Sequence, residues 1–232
     1  MEGIRILFED NHLIVVDKPA TMPSVPDSTR DLSAFDWVKQ YIKESKRKPG
    51  NVYLGVFHRL DRPVSGVLAF ARTSKAAKRM TGATQSSRLK KYYLAVTEGV
   101  PRGKAGEERI WIEKVRARNL ARITSRERGR LAHTRWATLR CLNGTSALIL
   151  VEPVTGRPHQ IRLTLSHLGC PIKGDLKYGA SRALPDRSIA LHAVHLSFPH
   201  PTRCDKVEIW SIPRRPPFPE ISREELIPPW KN

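Results

Sequence analysis

The chain has 232 residues, 40% of them apolar and 27% charged, so it is long enough to bury one large domain or two joined halves and too apolar for a disordered polyelectrolyte. Forty-one Lys and Arg against 22 Asp and Glu leave a formal charge of +19, which repels itself in a compact body and calls for a polyanionic partner. Nucleic acid is the expected partner, because neutralising phosphates releases condensed counterions and drives association.

Three cysteines, Cys141, Cys170 and Cys204, lie far apart and make neither a CxxC pair nor a disulfide framework, so a reducing compartment is expected. Glu9, Asp10 and Asp17 come too early for a signal-peptide core, and no run approaches the ~20 apolar residues of a membrane span. A cytoplasmic protein with no membrane attachment is expected, with monomer as the default state.

In chain order, residues 5–8 and 13–17 are short and rich in branched apolar residues, and predict two strands joined by a tight EDNH turn. Residues 32–45 keep helical spacing at Leu32, Phe35, Val38, Tyr41 and Ile42, with Asp31 as the N-cap. Residues 52–57 and 66–71 predict strands on either side of HRLDRPVSG, and Thr73 or Ser74 then caps a helix to about Ser87. KYYLAVTEG predicts a strand, residues 108–151 predict antiparallel hairpins, and residues 157–168 predict a helix ended by Gly169. LHAVHLSF and KVEIWSI close the pattern as strands, ahead of a Pro-rich tail over 213–232 that cannot supply a central strand. Strands in runs with few helices between them predict an α+β fold. Within it, residues 101–140 hold twelve Lys or Arg against four acidic residues, a one-signed excess that suits a basic β-arm gripping a phosphate backbone. A solvated hairpin face would carry the same charges to no specific end.

Two segments carry chemistry-bearing residues. His58-Arg59-Leu60-Asp61-Arg62-Pro63-Val64-Ser65-Gly66 sets one carboxylate among cations, in a turn shaped by Pro63 and Gly66 between apolar strands. Taken alone, this composition also fits an Asp that merely caps the turn and pairs with arginine. Thr155-Gly156-Arg157-Pro158-His159-Gln160-Ile161-Arg162-Leu163 places cations at the positive end of a helix. Arg162 borders the apolar stripe of Ile161, Leu165 and Leu168; a half-buried guanidinium there demands a carboxylate, such as Asp61.

HRLDRPVSG resembles the HRLDRxTSG signature of the RluA family of pseudouridine synthases, and VTGRPHQIRLTLSHLGCPIKGDLKYG resembles its TGRxHQIRxHLxxxGxPIxGDxxYG segment. EDNHLIVVDKPATMPSVP, KYYLAVTEG and LHAVHLSFPHPT resemble further motifs of the family, all in family order from about residue 6 to 202. Three positions depart from the pattern: Val64 stands for Thr, Thr164 for His, and Thr97 for Val. The resemblance implies a pseudouridine synthase fold over residues 1–212, a mixed, mainly antiparallel sheet with flanking helices and a central RNA-binding cleft. It implies the short form without an S4 domain, acting on structured RNA (rRNA or tRNA) with no cofactor and no metal. His192 and His195, three apart in a strand, point to opposite faces and make no zinc site.

By the same resemblance Asp61 is the essential carboxylate, Arg162 its paired arginine, and Tyr93 the aromatic that stacks on the uracil. Arg62, His58, Arg59 and Arg157 are implied RNA contacts, while Ile161 and Leu191 line the pocket. Covalent attack at C1′, covalent attack at C6 and a glycal intermediate all remain open, as does the choice of uridine. Two other readings compete: an RNA-binding protein that has kept the fold and lost the chemistry, and a glycosidase-like hydrolase. The second would want two carboxylates, where the signature turn offers one.

Overall fold

The computed structural model describes residues 3–47, 49–115 and 120–231; Arg116 and Arg118 of the expected arm, and Asn232 of the tail, lie outside them. The fold is α+β, with a mixed, mainly antiparallel sheet and three α-helices among the described residues. Residues 1–90 and 193–211 form one compact unit, and residues 91–192 and 212–232 form another.

In the first unit, β1 (Arg5–Glu9) and β2 (Leu13–Lys18) make the expected hairpin. Its turn is closed by Asp10, whose Oδ1 accepts the amides of His12 at 2.8 Å and Leu13 at 2.7 Å. β2 pairs with β3 (Ser65–Ala71), which neighbours β9 (Leu191–Pro199), and β9 pairs with β10 (Lys206–Trp210). Every residue of β3 is buried, which explains its continuous small and apolar sequence where a half-exposed strand would alternate. Helix α2 (Ser74–Gln85) starts at Thr73, whose Oγ1 accepts the Ala76 amide. Its buried stripe of Ala76, Met80 and Ala83 has helical spacing, and the first two pack with Leu13, Val67 and Phe198.

Two expectations fail in this unit. Helix α1 (Ala34–Ser45) is capped by Ser33, whose Oγ accepts the Asp36 amide, and not by Asp31. Asp31 is taken instead by Arg62, a stronger charge-assisted partner. The strand expected over 52–57 is reduced to a single bridge between Gly55 and Ala71. Tyr53 and Val56 are exposed, and a Cβ on Gly55 would lie 2.6 Å from that of Ala77, so this segment crosses the start of α2 and meets the sheet at that bridge alone.

In the second unit, β4 (Lys90–Glu98), β8 (Ser146–Pro153), β7 (Arg130–Leu142), β5 (Ala105–Val115) and β6 (Leu120–Thr124) lie side by side in that order, all antiparallel. Helix α3 spans only Gln160–His167, shorter than the expected 157–168, because His159 stands in the left-handed region at φ 55° and forces the chain to turn before the helix begins. Gly169, at φ 73°, ends it as expected. Its amide donates to the Ser166 carbonyl and that of Cys170 to the Leu165 carbonyl, both at 3.0 Å, the pairing that satisfies a helix C-terminus. The Pro-rich segment forms no strand and packs within this unit, burying Phe218 and Leu226 and pairing Glu225 with Arg140.

Gly66 sits at φ 114°, and a Cβ there would lie 2.3 Å from the backbone oxygen of Ala193. Gly66→Ala should therefore cost roughly 3 kcal/mol or more, combining left-handed strain with a backbone clash that no side chain can relieve. Urea unfolding of the variant, with an unchanged midpoint as the contrary result, checks this.

Candidate active site

The turn between Phe57 and β3 is held from several directions. Ser24 is buried, and its hydroxyl both donates to the Leu60 carbonyl at 2.7 Å and accepts the Leu60 amide at 3.0 Å. The Asp61 carbonyl then accepts the Val64 amide at 3.0 Å, closing the turn. Lys18 has no exposed surface, and its Nζ donates to the carbonyls of Pro19 at 2.9 Å, Met22 at 2.7 Å and Arg62 at 3.3 Å. One buried ammonium thus ties the loop after β2 to the residue following Asp61. Leu60 and Val64 are buried on either side of Asp61, which is itself half-buried and so reachable by a substrate.

The basic residues of this turn have distinct surroundings. His58 is buried, and its Nε2 accepts the Ala69 amide at 3.0 Å. That hydrogen bond holds the His58 ring against β3. Arg62 turns its guanidinium to Asp31, at 2.8 Å from both terminal nitrogens, and to Thr29 and Asp27. Hydrogen bonds from Arg62, then from Thr29, hold the Asp31 carboxyl below the usual carboxylate range. Arg59 is exposed and has no acidic partner among the described residues.

The second unit presents its own set. Arg162 is buried, and its Nε and Nη2 donate to the two carboxylate oxygens of Asp175, each at 2.7 Å. Asp175 is only 1% exposed, so this bidentate pair is buried within the second unit. The guanidinium carbon also lies 4.9 Å from the centre of the Tyr178 ring, and the Tyr178 hydroxyl accepts the Ala121 amide at 2.8 Å and meets His159 Nδ1 at 2.7 Å. Gln160 locks the preceding turn: its Oε1 accepts from the Arg157 amide and the Thr155 hydroxyl, and its Nε2 donates to the His133 carbonyl and the Thr134 hydroxyl. Arg157 gives its Nε to the Leu131 carbonyl at 2.9 Å and stays partly exposed.

Tyr93 is buried in β4 opposite Val151, and Ile161 and Leu191 are buried in α3 and at the start of β9. Of the positions that depart from the family pattern, Thr164 is wholly buried with its hydroxyl 3.3 Å from that of Thr134, and the Thr97 hydroxyl donates to the Gly99 carbonyl. Among the described residues, no group of three His, Cys, Asp or Glu could hold a metal ion, and no helix is long and apolar enough to cross a membrane.

Sequence reasoning assigned no role to Ser24, Lys18, Gln160, Asp175 or Tyr178, although every one of them stands in a quoted motif segment. Their signal was their residue type: polar groups embedded in apolar runs need partners once buried.

A sequence description of the RNA pseudouridylate synthase family matches residues 12–167. The ribosomal large subunit pseudouridine synthase C of Rickettsia prowazekii is 35% identical over 191 residues, covering 81% of this chain and 61% of that protein. The tRNA pseudouridine synthase C of Haemophilus ducreyi is 31% identical over 238 residues, covering 90% of each. Of solved structures, human RNA pseudouridylate synthase domain containing 4 aligns with a TM-score of 0.74 at 26% identity, covering 90% of this chain and 88% of its own. The chain spans about three-fifths of the length of the Rickettsia synthases it matches. The matched span contains both the Asp61 turn and the Arg162 helix, and the chain belongs to the RNA pseudouridylate synthase family.

Proposed function

We propose that this protein is an RNA pseudouridine synthase that isomerises a uridine in rRNA or tRNA, with Asp61 as its essential carboxylate. The observation that carries the reading is the Asp61 turn: a half-buried carboxylate fixed by Ser24, by Lys18 and by its own closing hydrogen bond, beside an exposed arginine. Fixing the backbone on both sides of one carboxylate is a costly arrangement for a residue that only caps a turn. The relatives' names divide between large-subunit rRNA and tRNA, so both substrates stand.

The reaction breaks the N1–C1′ bond of the nucleoside, turns the uracil, and joins C5 to C1′. A proton leaves C5 and one is gained at N1, so the balance closes with no redox partner and no group donor. Asp61 acts on the nucleoside through its ionised form, whichever of the covalent or glycal routes is followed. Tyr93 offers the aromatic face for the uracil, and Ile161 and Leu191 supply apolar walls. Arg162 is the buried guanidinium of the reaction, aimed by Asp175. Arg59 and Arg157 meet phosphate. Arg62 does so by exchanging Asp31 and Asp27 for phosphate oxygens, which suit the same planar fork. Lifting the uridine out of its stack costs a few kcal/mol, which favours loops where bases are already splayed.

Asp61→Asn should lower pseudouridine formation by about 10³-fold or more while RNA affinity stays within about twofold, since the amide keeps the shape and loses the charge. Carbodiimide mapping of total RNA from cells lacking the gene, complemented with either form, reads this and identifies the uridine; restoration by the Asn form would overturn the assignment. Arg126, Arg128 and Arg130 are exposed in the basic arm, with no acidic partner among the described residues. Replacing all three by alanine should reduce the slope of log affinity against log salt by about 2 to 3, and an unchanged slope would remove the arm from the RNA contact.

A further inference from the structure

The C-terminal segment of the second unit makes two anchored contacts that its Pro-rich composition does not announce. Arg215 donates from Nη1 to Asp186 Oδ2 at 2.6 Å and to the Ser188 hydroxyl at 3.0 Å, and its Nη2 is buried. Asp186 Oδ1 in turn accepts from the Ser188 hydroxyl at 2.6 Å and its amide at 3.0 Å. Partial burial pushes the Asp186 carboxyl up, but the two Ser188 hydrogen bonds and the Arg215 charge outweigh it and hold the carboxyl below its ordinary range. Three residues further along, Phe218 is buried edge-on against His192, with ring centres 6.1 Å apart.

These anchors bracket the segment Asp186–His192, whose other contacts lead to the residues assigned above. Ser188 is fully buried, and its carbonyl oxygen lies 2.7 Å from where a Cβ on Gly174 would stand. Two residues on, the Ala190 amide donates to the Lys173 carbonyl at 2.9 Å. Lys173 and Gly174 lead directly into Asp175, the carboxylate that aims Arg162, and Ala190 leads directly into Leu191. A segment pressed on Gly174 by backbone atoms cannot shift without moving Asp175.

We infer that Arg215 and Phe218 are positioning residues: they clamp Asp186–His192 so that Asp175 holds Arg162, and Leu191 holds its place, within the tolerance the reaction requires. This rests on the roles of Arg162 and Leu191 proposed above. Neither anchor touches the nucleotide; both act through the clamped segment.

The test uses the full chain with Arg215→Ala, Arg215→Lys and Phe218→Ala. Kinetics follow tritium released from C5-labelled rRNA and tRNA transcripts, and amide hydrogen exchange follows the protein. Arg215→Ala and Phe218→Ala should lower kcat about 10-fold with KM within about twofold, and Arg215→Lys should recover kcat to within about threefold, since it keeps the charge on Asp186. The amides of Asp175, Tyr178 and Ala190 should exchange faster in the alanine variants, while those of Leu148–Val151 in β8 stay as in the wild type. Unchanged kcat overturns the inference, whether or not local exchange rises. So does a loss of kcat that only tracks a general rise of exchange through β8, because the residues would then be structural alone. If the wild-type protein releases no tritium from either RNA, the activity reading falls separately, and unaltered exchange at Asp175 and Ala190 would still overturn the clamp.

Discussion

Lys18 lies wholly out of water at the end of β2, and its ammonium draws the carbonyls of Pro19, Met22 and Arg62 around it. An ion withdrawn from water loses several kcal/mol of hydration that only close, well-directed acceptors can return. The chain satisfies that demand by curling residues 19–22 back on themselves and bringing the residue after Asp61 to the same point. Ser24, two residues beyond the curl, then reaches both backbone groups of Leu60. The solvation demand of Lys18 and the reach of Ser24 together fix the backbone around Asp61.

Arg162 poses the same problem in the second unit and meets a different solution. A guanidinium cannot be deprotonated to escape burial, so it needs a planar partner, and the Asp175 carboxylate matches two of its donors at once. The Tyr178 ring covers the guanidinium, and its hydroxyl is committed to Ala121 and His159, so the aromatic is held as firmly as the ion pair. Gln160 completes the arrangement by using both ends of its amide on the turn that opens α3. Each of these groups is buried and partnered, which gives the unit an unambiguous geometry at the helix start.

The surface of both units follows another logic. A charge of +19 is tolerable because most cations stand in water, and several in the second unit pair with the few acids available, as Arg122 does with Glu113 and Arg135 with Glu107. Such exposed pairs contribute little to stability, typically below ~1 kcal/mol each. Their value lies in what they leave over: Arg126, Arg128 and Arg130 face solvent without acidic partners among the described residues. The acid clamp on Arg62 is the exception, a guanidinium of the Asp61 turn already engaged by Asp31 and Thr29.

Periodicity and punctuation, both local properties, were enough to place most of the fold: the Asp10 turn, the Thr73 cap of α2, the run of antiparallel strands and the Gly169 stop all appear where the residues predict them. The motif order likewise pointed to the family to which the chain belongs. The failures share a cause. Asp31 looked like a helix cap, yet a guanidinium 31 residues away outcompeted the backbone amides nearby. Residues 52–57 looked like a strand, yet the space beside β3 admits only one bridge. What the sequence determined by itself was which groups need partners. Which partner each group found, Asp175 for Arg162 and three carbonyls for Lys18, was decided only by the tertiary structure, because hydrogen bonds and ion pairs form between atoms within a few ångströms in space, and separation along the chain does not report that distance.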